Sequence, residues 1–228
     1  MKIRARHLSK SYNRRTVFKD LSFEHGSGVM GIAGSNGSGK STLIQIVAGL
    51  MKPTSGSVEW IQEGRAATRE EGFTEVGAEE QVLERGDLTS LVGFVAPYME
   101  YYEELTAREN MNFLQQLAAG RGGNHPENNT KSGVLEHLVH LFDASSFIDQ
   151  PYGSLSTGQR QRIKMIAAGV HTPAFYCLDE AAANLDEQGW QQLSTWLDLL
   201  RSRQTTIFLA SNDPRELDWC DRILSLDE

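Results

Sequence analysis

The run Gly34-Ser35-Asn36-Gly37-Ser38-Gly39-Lys40-Ser41-Thr42 has the composition of a polyphosphate cradle. Its small residues let backbone N–H groups curl around phosphate oxygens, and a helix opening at Lys40 would aim its partial positive charge at them. The spacing satisfies G-x-x-x-x-G-K-[ST], in which Lys40 reaches the β- and γ-phosphates and Ser41 ligates Mg²⁺. A second stretch, Ala174-Phe175-Tyr176-Cys177-Leu178-Asp179-Glu180, is an apolar strand ending in two carboxylates. There Asp179 suits the water shell of Mg²⁺, and Glu180 suits accepting a proton from an attacking water or polarising it. Taken singly, the first run could be a glycine-rich turn and the second an acidic helix cap. Together in one chain they point to nucleoside triphosphate chemistry.

These residues need strands and helices to hold them. Val29–Ala33 is a short apolar run suited to a buried strand, and Leu43, Ile46, Val47 and Leu50 recur at helical spacing after Lys40. Residues 1–33 read as strands and turns, and 56–64 as a further strand and turn. Residues 65–90 carry Glu70, Glu71, Glu75, Glu79, Glu80 and Glu84 and read as a polar, partly helical surface insertion to which no function is assigned. Helical periodicity spans 106–118, and the Gly- and Asn-rich tract 120–129 reads as a flexible connection. Further helices are expected over Val134–Phe142 and Ser156–Val170. A largely helical block, about 98–165, thus interrupts an α/β core formed by about 1–97 and 166–228, all within one domain.

The chain has 228 residues and a formal charge of −8, which argues against a nucleic-acid surface, since such domains cluster Lys and Arg. No apolar run approaches the ~20 residues that cross a bilayer, and Met1–Arg6 lacks the apolar core of a signal peptide, so a cytosolic location is expected. Cys177 and Cys220 have no metal or redox spacing and read as structural.

Leu155-Ser156-Thr157-Gly158-Gln159 opens a helix with Ser156 placed as an N-cap. Lying between a phosphate loop and an apolar Asp-Glu strand, this sequence resembles the signature of the ATP-binding cassette (ABC) ATPases, in order and spacing across nearly the whole chain. The resemblance implies a RecA-like P-loop NTPase core with an antiparallel β subdomain and an inserted α-helical subdomain. It also implies ATP and Mg²⁺ as cofactors and a head-to-tail pair of cassettes. In such a pair Ser156, Thr157, Gly158 and Gln159 would serve the ATP held by the partner's phosphate loop. By the same resemblance Tyr12 stacks on adenine with Val17 beneath it, and Asp186 of Ala183-Asn184-Leu185-Asp186 lies at the dimer interface.

Two family positions are altered. A Gln usually follows the strand resembling Val92–Val95, but Pro97 stands there and no Gln lies between Val92 and Met111; Tyr98 and Glu100 are the polar candidates to replace it. A switch His usually follows the last core strand, here Thr206–Ser211, but the next residue is Asn212 and every histidine lies at or before His171. Asn212 can donate an amide hydrogen bond to the γ-phosphate but cannot relay a proton, so slower hydrolysis is expected.

The resemblance implies a subunit that energises a transporter from the inner face of a membrane, docked on separate membrane subunits, with the Tyr98–Glu104 segment as the docking region and a second identical cassette as partner. The form is similar to short export-type cassettes, and no residue identifies cargo. Alternatives are a soluble assembly ATPase of the iron–sulfur scaffold type and a low-turnover regulatory subunit. A DNA-repair or translation cassette is disfavoured by the lack of coiled-coil insertions, tandem cassettes and basic surfaces.

Overall fold

The computed structural model describes residues 1–13, 15–63, 80–119 and 128–227. Two sheets organise them. Strands β1 (Lys2–Tyr12), β2 (Arg15–His25), β4 (Ser55–Glu63) and β5 (Glu80–Leu83) form an antiparallel sheet in the order β2-β1-β4-β5. Strands β3 (Gly28–Ala33), β6 (Val92–Val95), β7 (Phe175–Asp179), β8 (Thr206–Ser211) and β9 (Arg222–Ser225) form a parallel sheet in the order β6-β7-β8-β3-β9. The helices are α1 (Lys40–Val47), α2 (Ala107–Ala119), α3 (Asn128–Leu141), α4 (Thr157–Gly169), α5 (Glu187–Ser202) and the single turn α6 (Pro214–Leu217).

Strands β7 and β8 are buried along their full length because the parallel sheet is covered on both faces, which is why they read as unbroken apolar runs. Their side chains alternate between two cores. Tyr176, Leu178, Ile207 and Leu209 join the helical side with Phe142 and Trp196. Phe175, Cys177, Phe208 and Ala210 join α1 and the antiparallel sheet, against Leu43, Ile44 and Val47. Cys177 therefore sits in the core, and burial pushes its thiol well above the ordinary range.

Expectation and structure differ in two places. Of the expected 65–90 insertion, residues 65–79 lie outside the described residues, while 80–83 form β5 and 85–90 a 3₁₀ helix. The acidic composition hid a strand that β4 templates by pairing Trp60 with Leu83 and Glu63 with Glu80. Of the 120–129 connection, 120–127 lie outside the described residues, and α3 already begins at Asn128 rather than near Val134. Helix α4 runs unbroken past residue 165 to Gly169.

Candidate functional site

The order β7-β8-β3 brings three loops to one edge, because parallel neighbours end on the same side. Ala33 pairs with Ser211 and Asp179 with Ala210, so Gly34, Asn212 and Glu180 leave the sheet side by side. Three segments distant in sequence thereby meet at one edge of the sheet.

The first loop is shaped for an anion. Gly39 ends it at φ 106°, a left-handed conformation, and a side chain there would collide with Val17. At Gly34 a Cβ would collide with the Ser38 hydroxyl. Helix α1 then starts with no side-chain cap and no acidic residue in its first turn, which leaves its N–H groups facing outward. Lys40 is 5 % exposed, and its Nζ donates to the carbonyls of Gly34 at 2.7 Å and Ser35 at 3.0 Å. Those two bonds pin the ammonium and leave a third proton for a phosphate oxygen. Ser35 is tied from behind, its N–H and hydroxyl donating to the Asp227 carboxylate at 2.8 Å and 2.9 Å.

Asp179 ends β7 only 1 % exposed, and neither carboxylate oxygen has a hydrogen-bond partner. Burial pushes this carboxyl above the usual carboxylate range, helped by Glu180 and opposed by the Ser41 hydroxyl and Lys40. A buried, unsatisfied carboxylate beside an exposed serine hydroxyl is costly alone and is the donor set a small hard cation needs, so Ser41 and Asp179 fit Mg²⁺. Glu180 follows at φ 50°, a strained conformation for a glutamate, with its N–H donating to the Ala210 carbonyl at 3.0 Å. Asn212 donates through Nδ2 to Asn36 Oδ1 at 3.0 Å, which joins the β8 loop to the phosphate loop. Thr42 follows Ser41 in the first turn of α1.

Tyr12 sits apart from that edge, 47 % exposed, with its hydroxyl on Met51 Sδ at 3.1 Å and Lys10 Nζ 5.0 Å from its ring centre. Val17 lies against Gly39 at the end of the loop.

The Leu155–Gln159 stretch forms a separate cluster. Ser156 caps α4 with a reciprocal box: its Oγ accepts from Gln159 N–H, and its own N–H donates to Gln159 Oε1 at 2.9 Å. Thr157 and Gly158 lie in the first turn, Gly158 against the Asn184 backbone. Asp186 caps α5 by accepting from Gly189 N–H at 2.8 Å and pairs with Arg162 at 2.7 Å. Among the described residues no hydrogen bond or ion pair joins this cluster to the phosphate loop.

Residues 18–183 match the family model described as ABC transporter. The chain belongs to the ABC transporter family. It is 30% identical over 226 residues to the sulfate/thiosulfate import ATP-binding protein of Synechococcus elongatus, covering 97% of this chain and 59% of that one. It is 27% identical over 231 positions to the protein of the same name in Mesorhizobium japonicum, covering 100% of this chain and 61% of that one. The chain thus spans about three-fifths of the length of these relatives. A solved ATP-binding cassette, a dimer in a post-hydrolysis state with ADP and Pi, shares the fold at a TM-score of 0.78 and 20% identity, covering 99% of this chain and 94% of that one.

The ABC framework makes the Pro97 region informative. Pro97 offers only its carbonyl, which accepts from Lys164 Nζ at 2.7 Å. Tyr98 is the polar side chain turned toward α1. Its hydroxyl accepts from Gln45 Nε2 at 2.6 Å, Gln45 lying one turn after Ser41 on α1, and burial with the Asp179 charge keeps the phenol protonated. Glu100 instead bonds Tyr152 and approaches Lys164 and Arg160, facing α4. The i, i+4 spacing of Ser41 and Gln45 was readable in sequence and Tyr98 was one of two candidates there; the pairing of Tyr98 with Gln45 was not readable. Asp227, too, left no signal, since its role depends on β9 lying beside β3.

Proposed function

We propose that this cassette binds Mg²⁺–ATP and hydrolyses it in a head-to-tail pair of cassettes, and that the cycle drives a transporter through separate membrane subunits. The observation that carries the chemistry is the unpartnered, buried Asp179 carboxylate, set beside Ser41, pinned Lys40 and Glu180. In this proposal the loop amides and Lys40 hold the β- and γ-phosphates, and Ser41 and Asp179 hold the metal. Bound there, Mg²⁺ would supply positive charge against the β- and γ-phosphate oxygens. Glu180 orients the attacking water and takes its proton, while Asn212 donates an amide hydrogen to the γ-phosphate. Tyr12 and Val17 support the base. Ser156, Thr157, Gly158 and Gln159 complete the site of the other copy, with Asp186 alongside.

A membrane subunit is supported by an apolar groove of ≈ 410 Å³ whose walls include Phe94, Tyr98, Met99, Tyr101, Leu114 and Leu117. Tyr98 and Leu117 are exposed there, a face suited to an amphipathic helix. The relatives' names, sulfate/thiosulfate import ATP-binding proteins, favour this partner over a soluble assembly scaffold. No helix of the described residues is long and apolar enough to cross a membrane, so the span belongs to another segment or chain. The location that follows is the inner face of that membrane, and the second cassette is a copy of this chain.

Glu180→Gln tests the proposal. Turnover of the purified protein falls at least about 100-fold while ATP binding persists and an ATP-bound dimer accumulates, measured by phosphate release and light scattering. Normal turnover in that variant removes Glu180 from its role.

A further inference from the structure

One peptide unit next to Glu180 is gripped at both poles. The Ala181 carbonyl accepts from Gln161 Nε2 at 2.8 Å, and the Ala182 N–H donates to Glu216 Oε1 at 2.8 Å. These are the two ends of the same planar peptide, so its orientation is fixed by side chains from two other elements. Gln161 comes from α4, two residues beyond Gln159; Glu216 comes from α6, four residues beyond Asn212. Both grips are buried, Gln161 at 4 % exposure and Glu216 at 3 %.

Glu216 also holds the loop after β8. Its second oxygen accepts from the Ser211 hydroxyl, which in turn accepts from the Asp213 N–H at 2.9 Å. Ser211 and Asp213 flank Asn212, whose side chain bonds Asn36 of the phosphate loop. A continuous path therefore runs from α4 through the peptide after Glu180 to the Asn212 loop and the phosphate loop. Glu216 is expensive where it sits: burial raises its carboxyl above the ordinary range, and no cation pairs with it among the described residues. A buried carboxylate that accepts from the Ala182 N–H and the Ser211 O–H, with Asp213 and Glu180 as charged neighbours, fits a group that holds backbone in place.

We infer that Gln161 and Glu216 are positioning residues that clamp the Ala181–Ala182 peptide and thereby set Glu180, at its strained φ, against the Asn212 loop. This rests on the hydrolytic role proposed for Glu180. Neither side chain bonds the phosphate loop directly, so losing the clamp affects the chemical step rather than the hold on ATP.

The test is steady-state ATP hydrolysis by the full chain, with ATP affinity measured separately by a fluorescent analogue. Glu216→Ala is expected to lower kcat about 10-fold or more, with KM and nucleotide affinity within about twofold. Glu216→Gln keeps an acceptor for Ala182 N–H and can donate to Ser211, so it should recover most of the loss. Gln161→Met, of similar volume and without the donor, should show the same kcat-selective loss and decides the matter if Glu216→Ala does not fold. Unchanged kcat in a folded clamp variant overturns the inference, as does a parallel decline of kcat and affinity that the glutamine does not rescue. Absence of turnover in the unmodified protein would instead sink the hydrolytic reading itself.

Discussion

Helices α1 and α4 both begin at the edge of a functional cluster, but their N-termini are finished in opposite ways. At α1 the cap is Gly39 with no side-chain hydrogen bond, the ammonium of Lys40 stands by, and the N–H groups are left for a ligand. At α4 Ser156 and Gln159 bond each other's backbone in a capping box, so part of the donor set is already satisfied. The macrodipole is common to both; what differs is how much of it the chain keeps for itself. In the proposed function the α1 start, with Asp179 beside it, serves as an anion and metal site built within one chain. The α4 start is a stable helix end that gains a role only when another molecule is brought to it.

Changes at the α1 side should have the largest effects. Lys40→Ala is expected to weaken ATP binding by roughly 10- to 100-fold, since a charge-assisted hydrogen bond is worth about 1.5–3 kcal/mol. Calorimetry showing unchanged affinity would erase the contrast between the two helices. Next, Asn212→His should raise turnover in the purified protein, by up to roughly tenfold, because an imidazole can relay charge where an amide cannot. A histidine variant no faster than the parent would show that Asn212 does not limit the rate.

A smaller effect separates function from stability. Asp179→Asn should abolish turnover yet raise thermal stability without nucleotide, by on the order of 1–3 kcal/mol, because it removes a buried charge that the nearby Ser41 hydroxyl and Lys40 ammonium only partly offset. The sign with pH follows from its raised carboxyl. A carboxyl whose folded pKa is raised favours the fold at low pH and loses that contribution as pH rises through its range. The advantage of asparagine should therefore be full at neutral pH and shrink as acid neutralises Asp179 in the parent. A melting temperature that drops at neutral pH would mean the carboxylate is stabilised by something other than metal. The smallest expected change is Ser156→Ala, which costs about 1 kcal/mol of helix stability and lowers turnover without altering ATP affinity of the single chain. A loss of affinity there would mean the α4 start acts within its own chain.

Much of the α1 site was legible in the sequence because it is local. Loop, lysine and helix lie within nine consecutive residues from Gly34 to Thr42, and their spacing alone dictates a strand, a turn and a helix N-terminus. The same holds for Asp179 and Glu180 at the end of an unbroken apolar strand, and for the Ser156 cap three residues before Gln159. Strand β5 was less legible, because its pairing is supplied by β4 while its own four residues are half polar and mostly exposed.

Residue type and short spacing were enough to read the local features of each segment, a glycine-rich loop before a helix, two carboxylates at a strand end and a helix cap, and to propose their chemistry. Only the tertiary structure decided which segments meet. The β7-β8-β3 order sets Asp179, Asn212 and Gly34 side by side, and Glu216 reaches back across 34 positions to the Ala182 N–H. Tyr98 rather than Glu100 turns toward α1 because Gln45 is there to bond it and Lys164 and Arg160 draw Glu100 away. Such pairings rest on sheet register and helix packing, which couple residues by distance in space and leave no periodic trace along the chain.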